Sequence, residues 1–185
     1  MIPELLQETE TRMAKTVRSL EAELRTVRTG RASPALVERV MVDYYGTQTP
    51  LNQLAVISAP EPNLLVVRPY DPSSIGDLER GILQADLGLN PNNDGRIIRI
   101  PIPRLTEERR REMVKVVNRR VEDAKVALRN IRRDALEEMR EYENESLISE
   151  DELSRGQDQL QDLTDKYVEA VEKAGARKEE DIMEI

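Results

Sequence analysis

At 185 residues the chain has room for one domain or two small ones, and for a core in each. Charged residues make up 35% and aromatics only 3%, all of them tyrosine, a composition that suits long helices with Leu, Val, Ile and Ala seams better than an ordinary compact core. With no Cys and no His, the sequence excludes disulfides, thiolate nucleophiles, metal sites built on either residue and Ser-His-Asp triads, while a net charge of −8 argues at first sight against nucleic acid.

In chain order, residues 4–28 place Leu6, Met13, Val17, Leu20, Leu24 and Val27 at steps of seven, four and three, the spacing of a helix with one narrow apolar seam. Thr29-Gly30 is a helix-ending signal, reinforced by Pro34. Residues 31–103 are rich in proline and carry short β-type runs: Val40–Val42 into Tyr44-Tyr45, Ala55–Ile57, Leu64–Val67 and Ile97–Ile100. Gly46, Pro60–Asn63 and Asn92–Gly95 supply turns between them. One helix is predicted inside this stretch, from about Ser74 to Asp86, with Ile75, Leu78, Ile82 and Leu83 on one face.

The helical period returns at Thr106, where a hydroxyl cap precedes Glu107 and Glu108. Its seam runs Met113, Val117, Val121, Ala124, Leu128, Ile131, Ala135, Met139 and Tyr142. Ser149-Glu150-Asp151-Glu152 reads as a capping box opening a third helix, with Leu153, Leu160, Leu163, Tyr167, Val171 and Ala174 in its seam. Gly156 and Gly175 are expected to weaken that helix slightly. Three such helices bury their stripes on one another, so the predicted fold is α+β: an elongated three-helix bundle (residues 1–29 plus 105–185) with a small inserted β/α/β domain (residues 31–103). Hinges fall near 29–31 and 101–105. No apolar run approaches the ~18 residues of a membrane span, and the start MIPELLQETE lacks a basic segment followed by an apolar one. A cytoplasmic, non-catalytic protein with no metal and no cofactor is expected.

The net charge hides an asymmetry. Residues 104–140 carry twelve basic and eight acidic groups, whereas residues 141–185 carry five and fifteen, so one segment is basic and its successor very acidic. On a helical wheel Arg111, Lys115, Lys125, Arg129, Arg132 and Arg133 form a stripe on the outward flank of the second long helix. Its richness in Arg suits bidentate phosphate contacts. Two other readings stand beside nucleic-acid binding at this point: a solvated lattice of pairs with Glu112, Glu122, Asp134, Glu137 and Glu138, and an acidic protein partner. Enzyme motifs are missing. There is no P-loop and no GxGxxG, and the Asn90–Gly95 segment that imitates a calcium loop has Pro101 where a bidentate Glu is needed.

Five motifs then narrow the reading. Arg28-Thr29-Gly30-Arg31-Ala32-Ser33-Pro34, Asp43-Tyr44-Tyr45-Gly46-Thr47, Asp86-Leu87-Gly88-Leu89-Asn90-Pro91, Leu105–Arg110 and Val126–Asp134 occur in this order over the whole chain. Together they resemble the bacterial ribosome recycling factor family. The resemblance implies an L-shaped molecule that acts as a monomer with elongation factor G and GTP to split post-termination ribosomes into subunits. It implies contact with large-subunit 23S rRNA through Arg132 foremost, with Arg129, Arg110, Arg28, Arg133 and Arg109 around it, and a hinge at Gly30, Arg31, Pro103 and Arg104. A coiled-coil adaptor or chaperone-like structural protein is the alternative from another class.

Overall fold

The computed structural model describes residues 1–184. In chain order the elements are α1 (Ile2–Arg25), β1 (Met41–Tyr44), β2 (Thr47–Pro50), the one-turn α2 (Leu51–Leu54), β3 (Ala55–Glu61), β4 (Leu64–Pro69), α3 (Ile75–Gln84), β5 (Asn92–Asn93), β6 (Ile98–Pro101), α4 (Glu107–Asn144) and α5 (Glu150–Met183). The chain divides into two compact units, one of Met1–Thr29 with Glu107–Glu184, the other of Gly30–Thr106.

The helical unit is built on the 3.6-residue seam. Met13, Leu20, Leu24, Val117, Leu128, Ile131 and Val171 form one buried cluster, and Leu5, Ala135, Met139 and Leu160 a second. Two seam positions are filled by threonine. Thr9 and Thr164 are buried, and each hydroxyl donates back to the carbonyl four residues earlier, so no polar atom is stranded there. Arg12 pairs with Asp134 at 2.9 Å, and Arg120 on α4 donates to the Glu23 carbonyl near the end of α1, which sets α1 antiparallel to α4. The Glu23 carbonyl also accepts from the Thr26 N–H and hydroxyl, so Arg120 adds a charged donor at a helix C-terminus, where the dipole favours a cation. Helix α1 stops at Arg25, earlier than the Thr29-Gly30 signal, with Thr26 and Val27 N–H groups closing on the Glu23 and Leu24 carbonyls.

Helix α4 spans 38 residues, about 57 Å at 1.5 Å per residue. It ends in a Schellman turn: the Leu147 N–H donates to the Tyr142 carbonyl, the Ser146 N–H to that of Glu143, and Ser146 takes φ +59°. Ser149 then caps α5 reciprocally. Its hydroxyl accepts the Glu152 N–H at 3.3 Å, and the Glu152 carboxylate accepts the Ser149 N–H at 2.8 Å. That backbone donor, aided by the serine hydroxyl, holds the Glu152 carboxyl below its ordinary value. A depressed folded value means the contribution is complete above the ordinary carboxylate range and is lost as pH falls through the lowered one. Ser149→Ala is therefore expected to cost about 1 kcal/mol at neutral pH, a fall of roughly 2–4 °C in Tm. The deficit should shrink in acid, and an equal deficit in melts at about pH 7 and about pH 3 would show that the two groups do not act together.

Gly156 and Gly175, expected to weaken α5 slightly, are both buried. A Cβ on Gly175 would lie 2.5 Å from Val121 Cγ2, so this glycine is what lets α5 approach α4.

The small unit holds a four-stranded antiparallel sheet in the order β3-β4-β6-β5 and a separate β1–β2 hairpin. Alternation on β4 sends Leu65 and Val67 inward to meet Ile98 and Ile100 of β6 and Leu78 and Ile82 of α3. Strand β2, exposed over its first half, and the exposed two-residue β5 carry no apolar period that announces them. In α3 Leu83, expected on the packed face, is 54% exposed, and the face extends on its other flank over Gly81, where a Cβ would meet Val42 Cγ2 of the hairpin at 2.8 Å.

Candidate nucleic-acid interface

The basic stripe of α4 divides once its neighbours are in place. Lys125, expected on the outward flank, reaches to α5 and pairs with Glu172 at 2.7 Å, leaving its side chain only 24% exposed. Arg129 pairs with Glu122 at 3.1 Å, Arg109 with Glu112 at 2.6 Å, and Arg111 with Glu107. These pairs lie in solvent, where each is worth about 0–1 kcal/mol, so an incoming phosphate can exchange for the carboxylate. Among the described residues no carboxylate pairs with Arg28, Arg110, Arg132 or Arg133.

Arg132 differs from the rest. It lies one residue beyond Ile131 and four beyond Leu128, at the edge of the seam, and is half-buried. Its Nε is buried and has no hydrogen-bond partner among the described residues. A buried donor without an acceptor is costly, and the two terminal NH2 groups, which no hydrogen bond or ion pair among the described residues engages, remain available to an outside acceptor. Arg129 and Arg133 lie within an arc of about 100° from it. Arg110 is about 33 Å away along the axis, and the antiparallel course of α1 brings Arg28 to that same end of α4. The six arginines therefore form two groups, Arg129, Arg132 and Arg133 at mid-helix and Arg28, Arg109 and Arg110 toward the start of α4. Sequence reasoning missed Arg120, whose capping role depends on which residue of α1 it faces.

The proposed hinge residues lie where the small unit's two ends meet. The Ala32 N–H donates to the Pro62 carbonyl at 2.6 Å and the Ile102 N–H to that of Asn63 at 2.7 Å, so both segments are pinned to the β3–β4 turn. Gly30 has φ +74°, and a Cβ there would stand 3.1 Å from Leu105 Cγ. Arg31, Pro103 and Arg104 are exposed.

A furrow of about 490 Å³ between α1 and α4 is lined by Lys15, Ser19, Glu23, Arg120 and Asp123 among others, charges of both signs on an open rim. Among the described residues no cluster of three or more acidic side chains is placed to hold a metal ion. No helix in them is long and apolar enough to cross a membrane.

Architecture and surface define an α+β protein in which an arginine-bearing three-helix unit is interrupted by a small antiparallel unit. The family model described as "Ribosome recycling factor" matches residues 20–183. A ribosome-recycling factor of Natranaerobius thermophilus is 54% identical over 96% of this chain and 97% of its own length. That of Carboxydothermus hydrogenoformans is 51% identical over the whole of both chains. Among solved structures, a solution structure of the ribosome recycling factor is 42% identical, with a TM-score of 0.76 over 100% of this chain and 98% of its own. A second, at 42% identity and TM-score 0.65 over 99% of each chain, comes from models of the T. thermophilus ribosome recycling factor and the E. coli elongation factor G bound to the E. coli post-termination complex. The chain belongs to the ribosome recycling factor family.

Proposed function

We propose that this protein acts in the cytoplasm, as a monomer, on the ribosome after termination. With elongation factor G and GTP it separates the subunits and frees the mRNA. The mid-helix group of Arg132, Arg129 and Arg133 contacts large-subunit rRNA, and Arg28, Arg109 and Arg110 extend that contact along the rod. The observation that carries this reading is the half-buried Arg132, whose terminal NH2 groups no carboxylate among the described residues engages, beside two exposed arginines. The relative solved with elongation factor G on a post-termination complex supports the choice of partners.

The physical division of labour follows. The sequence contains no nucleotide-binding loop, so the energy of splitting comes from elongation factor G. A helix about 57 Å long carries force without bending, which a compact domain of this size cannot do over that distance. Gly30, Arg31, Pro103 and Arg104 lie just outside the two pinned hydrogen bonds, and rotation there would let the small unit swing while the bundle stays on rRNA.

The test is light scattering of post-termination ribosomes. Rapid loss of scattering is expected only when this protein, elongation factor G and GTP are all present. The three mid-helix contacts alone give a slope of log K against log salt of about −2 to −3, so affinity should fall at least about four- to eightfold for each doubling of salt. A folded protein that leaves scattering unchanged with a partner from the same organism would overturn the reading in favour of an adaptor.

A further inference from the structure

We propose that the tip of the β1–β2 hairpin, Tyr44 and Tyr45, together with Asp71 of the segment after β4, which accepts from Tyr44, is a docking platform for a Lys- or Arg-bearing segment of a protein partner. The register of the hairpin pairs Tyr44 with Thr47 and leaves Tyr45-Gly46 as a two-residue loop. Both loop residues have positive φ, +50° and +84°. This is the I′ turn that Asn-Gly fits and that an aromatic residue fits poorly. The Tyr45 side chain gains nothing from the core in return, since it is 79% exposed. A local rule broken for no more than an exposed contact with Tyr44 and Asp71 points to a role in function.

The surroundings specify the ligand. The Tyr44 and Tyr45 rings meet edge to face, with centroids 4.6 Å apart. Tyr44 Oη donates to Asp71 Oδ2 at 3.4 Å, and Asp71 Oδ1 is fixed by the Ser73 N–H and hydroxyl at 3.0 and 2.7 Å. Those Ser73 donors hold the Asp71 carboxyl below its ordinary value, so it stays ionised. Asp43 accepts the Gly46 N–H at 2.9 Å and adds a second negative charge. Among the described residues no Lys or Arg pairs with Asp43 or Asp71. Tyr70, adjoining Asp71 in the chain, is 66% exposed. Negative ring faces and two unneutralised carboxylates repel RNA phosphates and attract a guanidinium or ammonium group. The platform belongs to the small unit and shares no residue with the arginine face, so the two readings fail separately.

Three variants of the full chain test it on post-termination ribosomes with elongation factor G and GTP. Tyr45→Asn relieves the turn, so its Tm should equal or exceed that of the parent, and its affinity for isolated large subunits should not change. The rate of splitting should nevertheless fall about tenfold, and Tyr45→Phe, which keeps the ring, should restore most of it. A Tyr45→Asn protein that splits at the parent rate overturns the proposal. Tyr45→p-benzoylphenylalanine, irradiated on the same complex with a non-hydrolysable GTP analogue, reads the platform whether or not subunits separate. A cross-link to a Lys- or Arg-bearing protein segment supports it, while a cross-link to rRNA, or none, overturns it.

Discussion

Replacing Arg132 by alanine is expected to weaken ribosome binding about 10- to 100-fold while moving Tm by less than about 2 °C. The two halves of that expectation have separate causes. A guanidinium donating to phosphate makes charge-assisted hydrogen bonds worth about 1.5–3 kcal/mol, the source of the affinity loss. Within the protein the same side chain gives up no ion pair, and its buried Nε has no acceptor to lose. Only the packing of its stem at the seam edge disappears. Arg132→Lys should recover part of the affinity, because an ammonium keeps the charge without the planar fork.

Arg129 offers the complementary experiment. It is held by Glu122 at 3.1 Å in the free protein. Removing Arg129 takes away a phosphate contact and exposes a carboxylate to the phosphates, whereas Glu122→Gln frees the arginine and should tighten binding. Filter binding or pelleting at several salt concentrations measures both. If Arg132→Ala instead lowers Tm by about 5 °C or more, or binds like the parent, the side chain serves the fold and not the ribosome.

How much of this was legible in the sequence depended on whether one element or two decided the matter. The seams of α4 and α5 follow from the spacing of Val117, Leu128, Ile131, Leu160 and Val171, and the Ser149–Glu152 cap from residue types three apart, because both are properties of one helix. Strand β2 was not legible: Thr47–Pro50 has no apolar alternation, and only its pairing across the Tyr45-Gly46 turn makes it a strand. The packed face of α3 extends over Gly81 and leaves Leu83 exposed because Val42 of the hairpin comes within reach of the Gly81 backbone. The basic stripe shows the same limit. A wheel gives the angle of Lys125 and Arg120 on α4, but not that α5 offers Glu172 to one and α1 offers a carbonyl to the other. Which arginines remain for a ligand is decided by those neighbours, and Arg132 was singled out beforehand by family resemblance alone.

The same dependence on neighbours gives the two buried glycines of α5 opposite signs. Each would gain about 1 kcal/mol of helix propensity on substitution by alanine. At Gly175 the new methyl would lie 2.5 Å from Val121 Cγ2, far inside contact distance. Val121 is β-branched and held to one rotamer on α4, so it cannot swing aside and the helices must part. Overpacking of this kind costs about 1–3 kcal/mol, and so deep a clash belongs at the upper end, which outweighs the propensity gain. Gly175→Ala should therefore lose about 2 kcal/mol and lower Tm by roughly 4–8 °C. Val121→Ala in the same chain removes the obstructing methyls and should return much of that loss. At Gly156 the neighbours are Ile2 Cγ2 and Met139 Sδ, both at 3.3 Å. Methionine repacks readily and Ile2 is at the first turn of α1, so propensity wins and Gly156→Ala should raise Tm by about 1–3 °C. Thermal melts of the three variants decide the matter. A Gly175→Ala protein more stable than the parent would mean that α4 and α5 have slack at Val121, and that their close approach is not set by the absence of a side chain.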